Sequence, residues 1–167
     1  MELFQMYILS IVQFCLVTIY FIPGPCSIIG DYFYSNEARR CYVKVQEPMK
    51  FTKAFRGCQE IGGSLLEIHS STNQDTIDRY LVDSNAVYIG LNDILIESNF
   101  VWIASGQDLR NFTHWGDGQP ADVYQDHDED CVQILLNGFW NDIDCNIVRP
   151  FLCEMNMTVS YITGGNI

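Results

Sequence analysis

The sequence predicts an α+β domain, and three observations predict it. Helical periodicity is confined to residues 51–81, short strand-like runs take over from Ala86, and a long acidic stretch without regular pattern interrupts those strands. Helices first and sheet afterwards is the α+β order. With 167 residues, 48% of them apolar, the chain can pack one ordinary domain. Its 21 acidic and 9 basic side chains leave a formal charge of -12, which excludes nucleic acid and anionic membranes as partners because both carry the same sign.

Residues 1–25 read as a secretory signal. Leu3 to Ile22 carries no charge, and Pro23-Gly24-Pro25 follows it. The leading segment has Glu2 and no Lys or Arg, and about twenty such residues could just span a bilayer, so a membrane anchor is the alternative to cleavage and secretion. Cleavage near residue 25 removes Cys15. It leaves Cys26, Cys41, Cys58, Cys131, Cys145 and Cys153, an even set suited to an oxidising, extracellular compartment. Asn111-Phe112-Thr113 and Asn156-Met157-Thr158 are glycosylation sequons, consistent with a secreted glycoprotein.

The domain proper is expected over residues 26–155. Arg40 to Gln46 alternates as a strand. Phe51, Ala54, Phe55, Cys58 and Ile61 share one face of a helix that Gly62-Gly63 stops. Leu65 to His69 is a short strand, and Ser71 with Gln74 has capping-box spacing ahead of a second helix whose inner face is Ile77, Tyr80 and Leu81. Strands then follow at AVYIGL, FVWI, CVQILL and RPFLCE. Residues 156–167 form a tail with no strong pattern.

Ser105 to Asp130 is too long for an idle loop, since ordered loops of this length are usually functional. Asp117, Asp122, Asp126, Asp128, Glu129 and Asp130 fall within it, and no Lys or Arg lies between Asp117 and Asp130. Such a loop is either flared into solvent or neutralised. Calcium, which takes six to eight oxygen ligands, is the natural neutraliser. Oxygens are offered in three clusters: Asp93 with Glu97; Gln119, Asp122, Glu129 and Asp130; and Asn141 with Asp142. They are not at EF-hand spacing, so the fold must bring them together.

Catalysis is not expected. The chain has no Gly-x-Ser-x-Gly elbow, no phosphate-binding glycine loop and no zinc spacing among His69, His114 and His127. Trp102, Trp115 and Trp140 read as core residues in preference to ligand platforms.

The order of several motifs resembles the C-type lectin-like domain family. They are Cys58 followed by Gly62-Gly63, Tyr88-Ile89-Gly90-Leu91, Trp102 with Gly106, Trp115, Gln119-Pro120, Glu129-Asp130-Cys131, Gly138-Phe139-Trp140-Asn141-Asp142, Cys145 and Phe151-Leu152-Cys153-Glu154. The resemblance implies the C-type lectin-like fold, with bridges Cys58–Cys153 and Cys131–Cys145 and an N-terminal bridge Cys26–Cys41. It implies an auxiliary calcium site at Asp93, Glu97, Asp122, Glu129 and Asp130. It also implies a principal, sugar-binding calcium site at Gln119, Glu129, Asn141 and Asp142, and a cis bond before Pro120.

One ligand of that principal site is missing. Family motifs there read Glu-Pro-Asn or Gln-Pro-Asp, whereas this chain has Gln119-Pro120-Ala121, and Ala121 has no side-chain oxygen. Gln119 can coordinate through its carbonyl and donate through its NH2, which favours galactose-type over mannose-type sugars. Tyr124 is placed to stack on a sugar face. The expectation is calcium-dependent binding of glycans or glycoproteins through a degraded principal site; the alternative is a calcium-stabilised module that binds a protein or mineral surface. A homo-oligomer is compatible with the sequence, and membrane contact requires an uncleaved leader.

Overall fold

The computed structural model describes residues 32–35, 40–80, 85–121, 123–124 and 127–156. The leader, Cys26, Leu81, Asp122 and the tail from residue 157 lie outside the described residues, as do the side chains of Tyr80, Tyr124, His127 and Asn156. In chain order the elements are β1 (Tyr32–Ser35), β2 (Arg40–Met49), α1 (Phe51–Glu60), β3 (Ser64–Leu65), α2 (Ser71–Tyr80), β4 (Val87–Asn92), β5 (Val101–Trp102), β6 (Val123–Tyr124), β7 (His127–Asp128), β8 (Cys131–Ile134), β9 (Trp140–Ile143) and β10 (Arg149–Asn156). The α+β expectation holds.

The main sheet runs β1-β2-β10-β4-β8-β9, with β3 added on β10 and β5 on β4. Among the described strands of this sheet, β10 and β4 pair in parallel, and their register sets Phe151 opposite Tyr88. β2 and β10 pair antiparallel, so the two ends of the domain meet. Pairing of β8 with β4 and with β9 brings the start of β8 beside the end of β4 and the end of β9.

Two apolar layers hold the helices on the sheet. α1 buries Phe51, Ala54 and Cys58, which pack with Tyr88, Phe151 and Cys153. α2 contributes Ile77 to a second layer with Trp102, Trp140, Ile89 and Leu152. The indoles of Trp102 and Trp140 meet edge to face with centroids 6.0 Å apart, a favoured aromatic geometry. Both are buried, as expected, and Trp115 packs against the same layer from its edge.

Gly62 and Gly63 act for different reasons. Gly62 adopts φ +82, the left-handed conformation that ends α1, whereas a Cβ on Gly63 would lie 2.5 Å from the carbonyl oxygen of Glu154. The second glycine lets β10 approach. Cys58–Cys153 ties α1 to β10, and Cys131–Cys145 closes the β8–β9 hairpin region. Cys41 is also disulfide-bonded, to a partner outside the described residues.

The local expectations need four corrections. The strand expected at Leu65 to His69 is only Ser64–Leu65, because Leu66 divides its bonds, donating to Leu152 O and accepting from Gly90 N. The cap of α2 is Ser70 in place of Ser71: its Oγ accepts the Asn73 N–H at 3.2 Å. Trp140–Ile143 is a strand, although Asn and Asp disfavour one, because it pairs with β8 along its whole length. The acidic loop contains a hairpin, with Val123 opposite Asp128.

Candidate functional site

Strand pairing assembles the site. β4 and β8 are in register at Asn92 and Cys131, and one residue further Asp93 N–H donates to Asp130 O at 3.1 Å. Asp93 and Asp130 are thereby adjacent although 37 positions separate their numbers. β8 and β9 are in register at Val132 and Asp142, and Asp142 lies within electrostatic reach of Glu129 just ahead of β8. The loop carrying Gln119 runs along β9: Trp115 bridges Trp140, Gly116 N–H donates to Trp140 O at 2.9 Å, and Gln119 N–H donates to Gly116 O at 3.0 Å.

At the principal position, Ala121 N–H donates to Asp142 Oδ2 at 2.8 Å. Asn141 lies beside it and donates from Nδ2 to the Asp142 carbonyl. The Gln119-Pro120 bond is cis, as the resemblance implied. Gln119 Oε1 is buried and, among the described residues, has no hydrogen-bond partner. A buried acceptor left so is destabilising by about 1–3 kcal/mol unless something else satisfies it.

At the auxiliary position, Asp93 is buried, and its Oδ2 accepts the Ser98 N–H at 2.9 Å. Its Oδ1 is buried without a hydrogen-bond partner among the described residues. Glu97 sits in the exposed turn after β4. Asp122 lies outside the described residues.

Burial and mutual repulsion act together on these carboxylates. Burial pushes the Asp93 carboxyl up to about 6, the Ser98 N–H pulls it down, and Glu97 and Asp130 raise it further. Glu129 is raised by burial, then by Asp142 and Asp144; Asp130 is raised by burial, then by Asp128 and Asp144. Asp144 was not among the residues singled out from sequence. Its signal was the Asp142-x-Asp144 alternation at the end of β9.

The donor set is chemically suited to a hard cation: carboxylates and amide carbonyls, among them the buried Asp93 Oδ1 and Gln119 Oε1, which accept no hydrogen bond among the described residues. The carboxylates come within electrostatic reach of one another but do not close into a cluster, since among the described residues no three His, Cys, Asp or Glu side chains converge. Two of the four donors expected at the principal position are amides, and the set expected at the auxiliary position includes Asp122. Asn111 is exposed, at φ 57, so its sequon faces solvent.

Comparison with known proteins follows the same lines. Residues 47–155 match the family model described as Lectin C-type domain. The chain is 32% identical over 119 residues to Collectin-11 of Danio rerio, covering 70% of this chain and 43% of that protein. It is 37% identical over 116 residues to C-type mannose receptor 2 of Rattus norvegicus, covering 68% of this chain and 8% of that protein. Among solved structures, the mouse scavenger receptor C-type lectin carbohydrate-recognition domain superposes with a TM-score of 0.70 at 27% identity, over 77% of this chain and 95% of that one. The chain spans less than half the length of these curated relatives. Fold, motif order and sequence identity agree: the chain belongs to the C-type lectin domain family.

Proposed function

We propose that this domain binds carbohydrate without turnover, in a calcium-dependent manner, through Gln119, Glu129, Asn141 and Asp142, and that it acts outside the cell. The observation that carries the reading is the buried, unsatisfied Oε1 of Gln119, on a loop whose neighbouring Ala121 N–H is fixed to Asp142. A bound calcium would supply a Lewis acid that orders two vicinal sugar hydroxyls. The carboxylates of Glu129 and Asp142 would accept from those hydroxyls. The amide nitrogens of Gln119 and Asn141 donate to them. Two donors and two acceptors define hydroxyl geometry, and Gln119 in place of a carboxylate favours galactose-type sugars over mannose-type ones. Asp93, Glu97, Asp122 and Asp130, with Glu129 shared, would hold an auxiliary ion, which would offset their mutual repulsion. Tyr124 is assigned to the sugar face.

Ala121 favours a second reading. The position supplies only its backbone, so the domain is then a calcium-stabilised module for a protein or mineral surface. A glycan array run in calcium and again with chelator separates the two. Calcium-dependent signals on galactose-terminated glycans are expected; binding to none of them, with calcium-dependent stability retained, leaves the second reading.

A further inference from the structure

Ile94, Leu95 and Ile96 follow one another in the turn between β4 and β5, and they are 43%, 86% and 63% exposed. Turns in water normally carry polar residues, so three consecutive large apolar side chains here are unfavourable unless something covers them. The backbone of the turn is fixed. Ile96 N–H donates to Asp93 O at 3.0 Å, Ser98 N–H donates to Asp93 Oδ2 at 2.9 Å, and Asn99 N–H donates to Ile96 O at 3.0 Å. Its two feet are tied as well: Asn92 Nδ2 donates to Val101 O at 3.1 Å, and Asp93 and Phe100 are buried. The three side chains are therefore presented on a hydrogen-bonded tip with Leu95 the most exposed, and its backbone has little freedom left to lose when they are covered.

Charge narrows what can cover the tip. From Asn92 to Asn99 the chain carries Asp93 and Glu97 and no Lys or Arg, and Glu97 is exposed next to Ile96. A second copy meeting the first tip to tip would set two Glu97 carboxylates together, and like charges repel. Three side chains also fall well short of the about 800 Å² that a stable protein interface takes from each partner. An anionic bilayer is repelled by the whole chain at -12. A zwitterionic bilayer has none of these obstacles. Its outermost charge is the trimethylammonium of the headgroup, of the sign that Glu97 attracts, and the acyl boundary beneath takes apolar side chains without a matched surface.

We propose that Ile94, Leu95 and Ile96 form a membrane-contact tip, which enters the headgroup region of a zwitterionic bilayer of the phosphatidylcholine type. The inference is independent of the sugar-binding reading, because it uses no residue assigned to the principal site, and it does not involve the leader. Three side chains on one turn give weak, reversible attachment, below that of a single acyl chain.

The test mixes protein recovered from the medium of expressing cells with phosphatidylcholine vesicles in millimolar calcium and measures the fraction that sediments with them. Phosphatidylcholine carries no sugar, so attachment through Gln119 cannot mimic the result. Wild type should sediment in proportion to lipid. Leu95→Ser should weaken binding by about tenfold or more, the range for burying one leucine side chain, and should keep the wild-type melting temperature because that side chain is exposed. Leu95→Phe should bind at least as well as wild type. The tip is overturned if wild type stays with the supernatant, if Leu95→Ser binds equally well, or if binding appears only once phosphatidylserine is added, the sign of a metal bridging to phosphate. A dimer in solution that Leu95→Ser dissociates would make the turn an interface between copies and overturn it too.

Discussion

The indole N–H of Trp140 donates to Oε1 of Gln74 at 2.8 Å, joining β9 to α2 inside the core. The same amide spends its Nε2 protons on Gly138 O at 3.1 Å and Asp78 Oδ1 at 2.7 Å. Gln74 is thus a fully used buried amide, and the next two residues after Trp140 are Asn141 and Asp142. Gln74→Leu should lower unfolding free energy by about 2–3 kcal/mol, because the Trp140 N–H and the Gly138 carbonyl are then left buried without a partner. Urea unfolding checks this, and a loss below about 0.5 kcal/mol would show that the bond does not hold the hairpin.

Millimolar calcium should raise the melting temperature. Stabilisation by a ligand follows its concentration relative to its dissociation constant, so at tenfold excess the gain is about 1.4 kcal/mol, or roughly 5 °C for a domain of this size. Glu129 is assigned to both ions, so Glu129→Ala should abolish the gain. Asp93→Asn should remove only part of it. An unchanged wild-type melting curve in calcium would count against both ion assignments.

How much of this was legible in the sequence differs between residues. The buried face of α1 was readable, because Phe51, Ala54 and Cys58 recur at helical spacing and all three are buried. β9 was not, because Asn141 and Asp142 are poor strand formers and only their pairing with β8 makes them extended. The α2 cap was ambiguous by construction. Ser70 and Ser71 each face a polar residue three positions on, Asn73 and Gln74, and the fold recruits Gln74 for the core instead. Gln74 itself carries a side chain that local pattern assigns to the surface, and nothing in its neighbourhood announces Trp140. The calcium-site residues were readable as an acidic concentration in search of a counter-charge; which of them meet depends on the β4–β8 register.

Ala121→Asp should strengthen both calcium and galactose binding. The Ala121 N–H already donates to Asp142 Oδ2, so a side chain added there starts beside an assigned ligand. It adds one carboxylate to a set whose charge otherwise comes from Glu129 and Asp142. A gain on the order of tenfold in calcium affinity, measured by calorimetry, corresponds to about 1.4 kcal/mol, within the range of one charge-assisted contact. No change in galactose affinity would show that the principal site has been placed on the wrong loop.

The pH dependence of the metal-free protein should run opposite to that of a domain stabilised by ion-paired carboxylates. Asp93 ordinarily titrates at 3.8 but in the folded protein is pushed up to about 6 by burial, against the Ser98 N–H and with the repulsion of Glu97 and Asp130. Between those two values the folded state holds a proton that the unfolded state releases, so its contribution to stability is complete below 3.8 and is lost as pH rises through about 6. Glu129 and Asp130 are shifted in the same direction. With chelator present, the melting temperature should therefore fall between pH 4 and pH 7, and Asp93→Asn, whose amide does not titrate, should flatten the fall. Calcium needs these groups ionised, so its affinity should climb over the same interval and the calcium-induced rise in melting temperature should grow with it. A chelated protein that becomes steadily more stable from pH 4 to pH 7, or an Asp93→Asn variant with the wild-type slope, would mean that the carboxyl of Asp93 is already charged and satisfied within the fold.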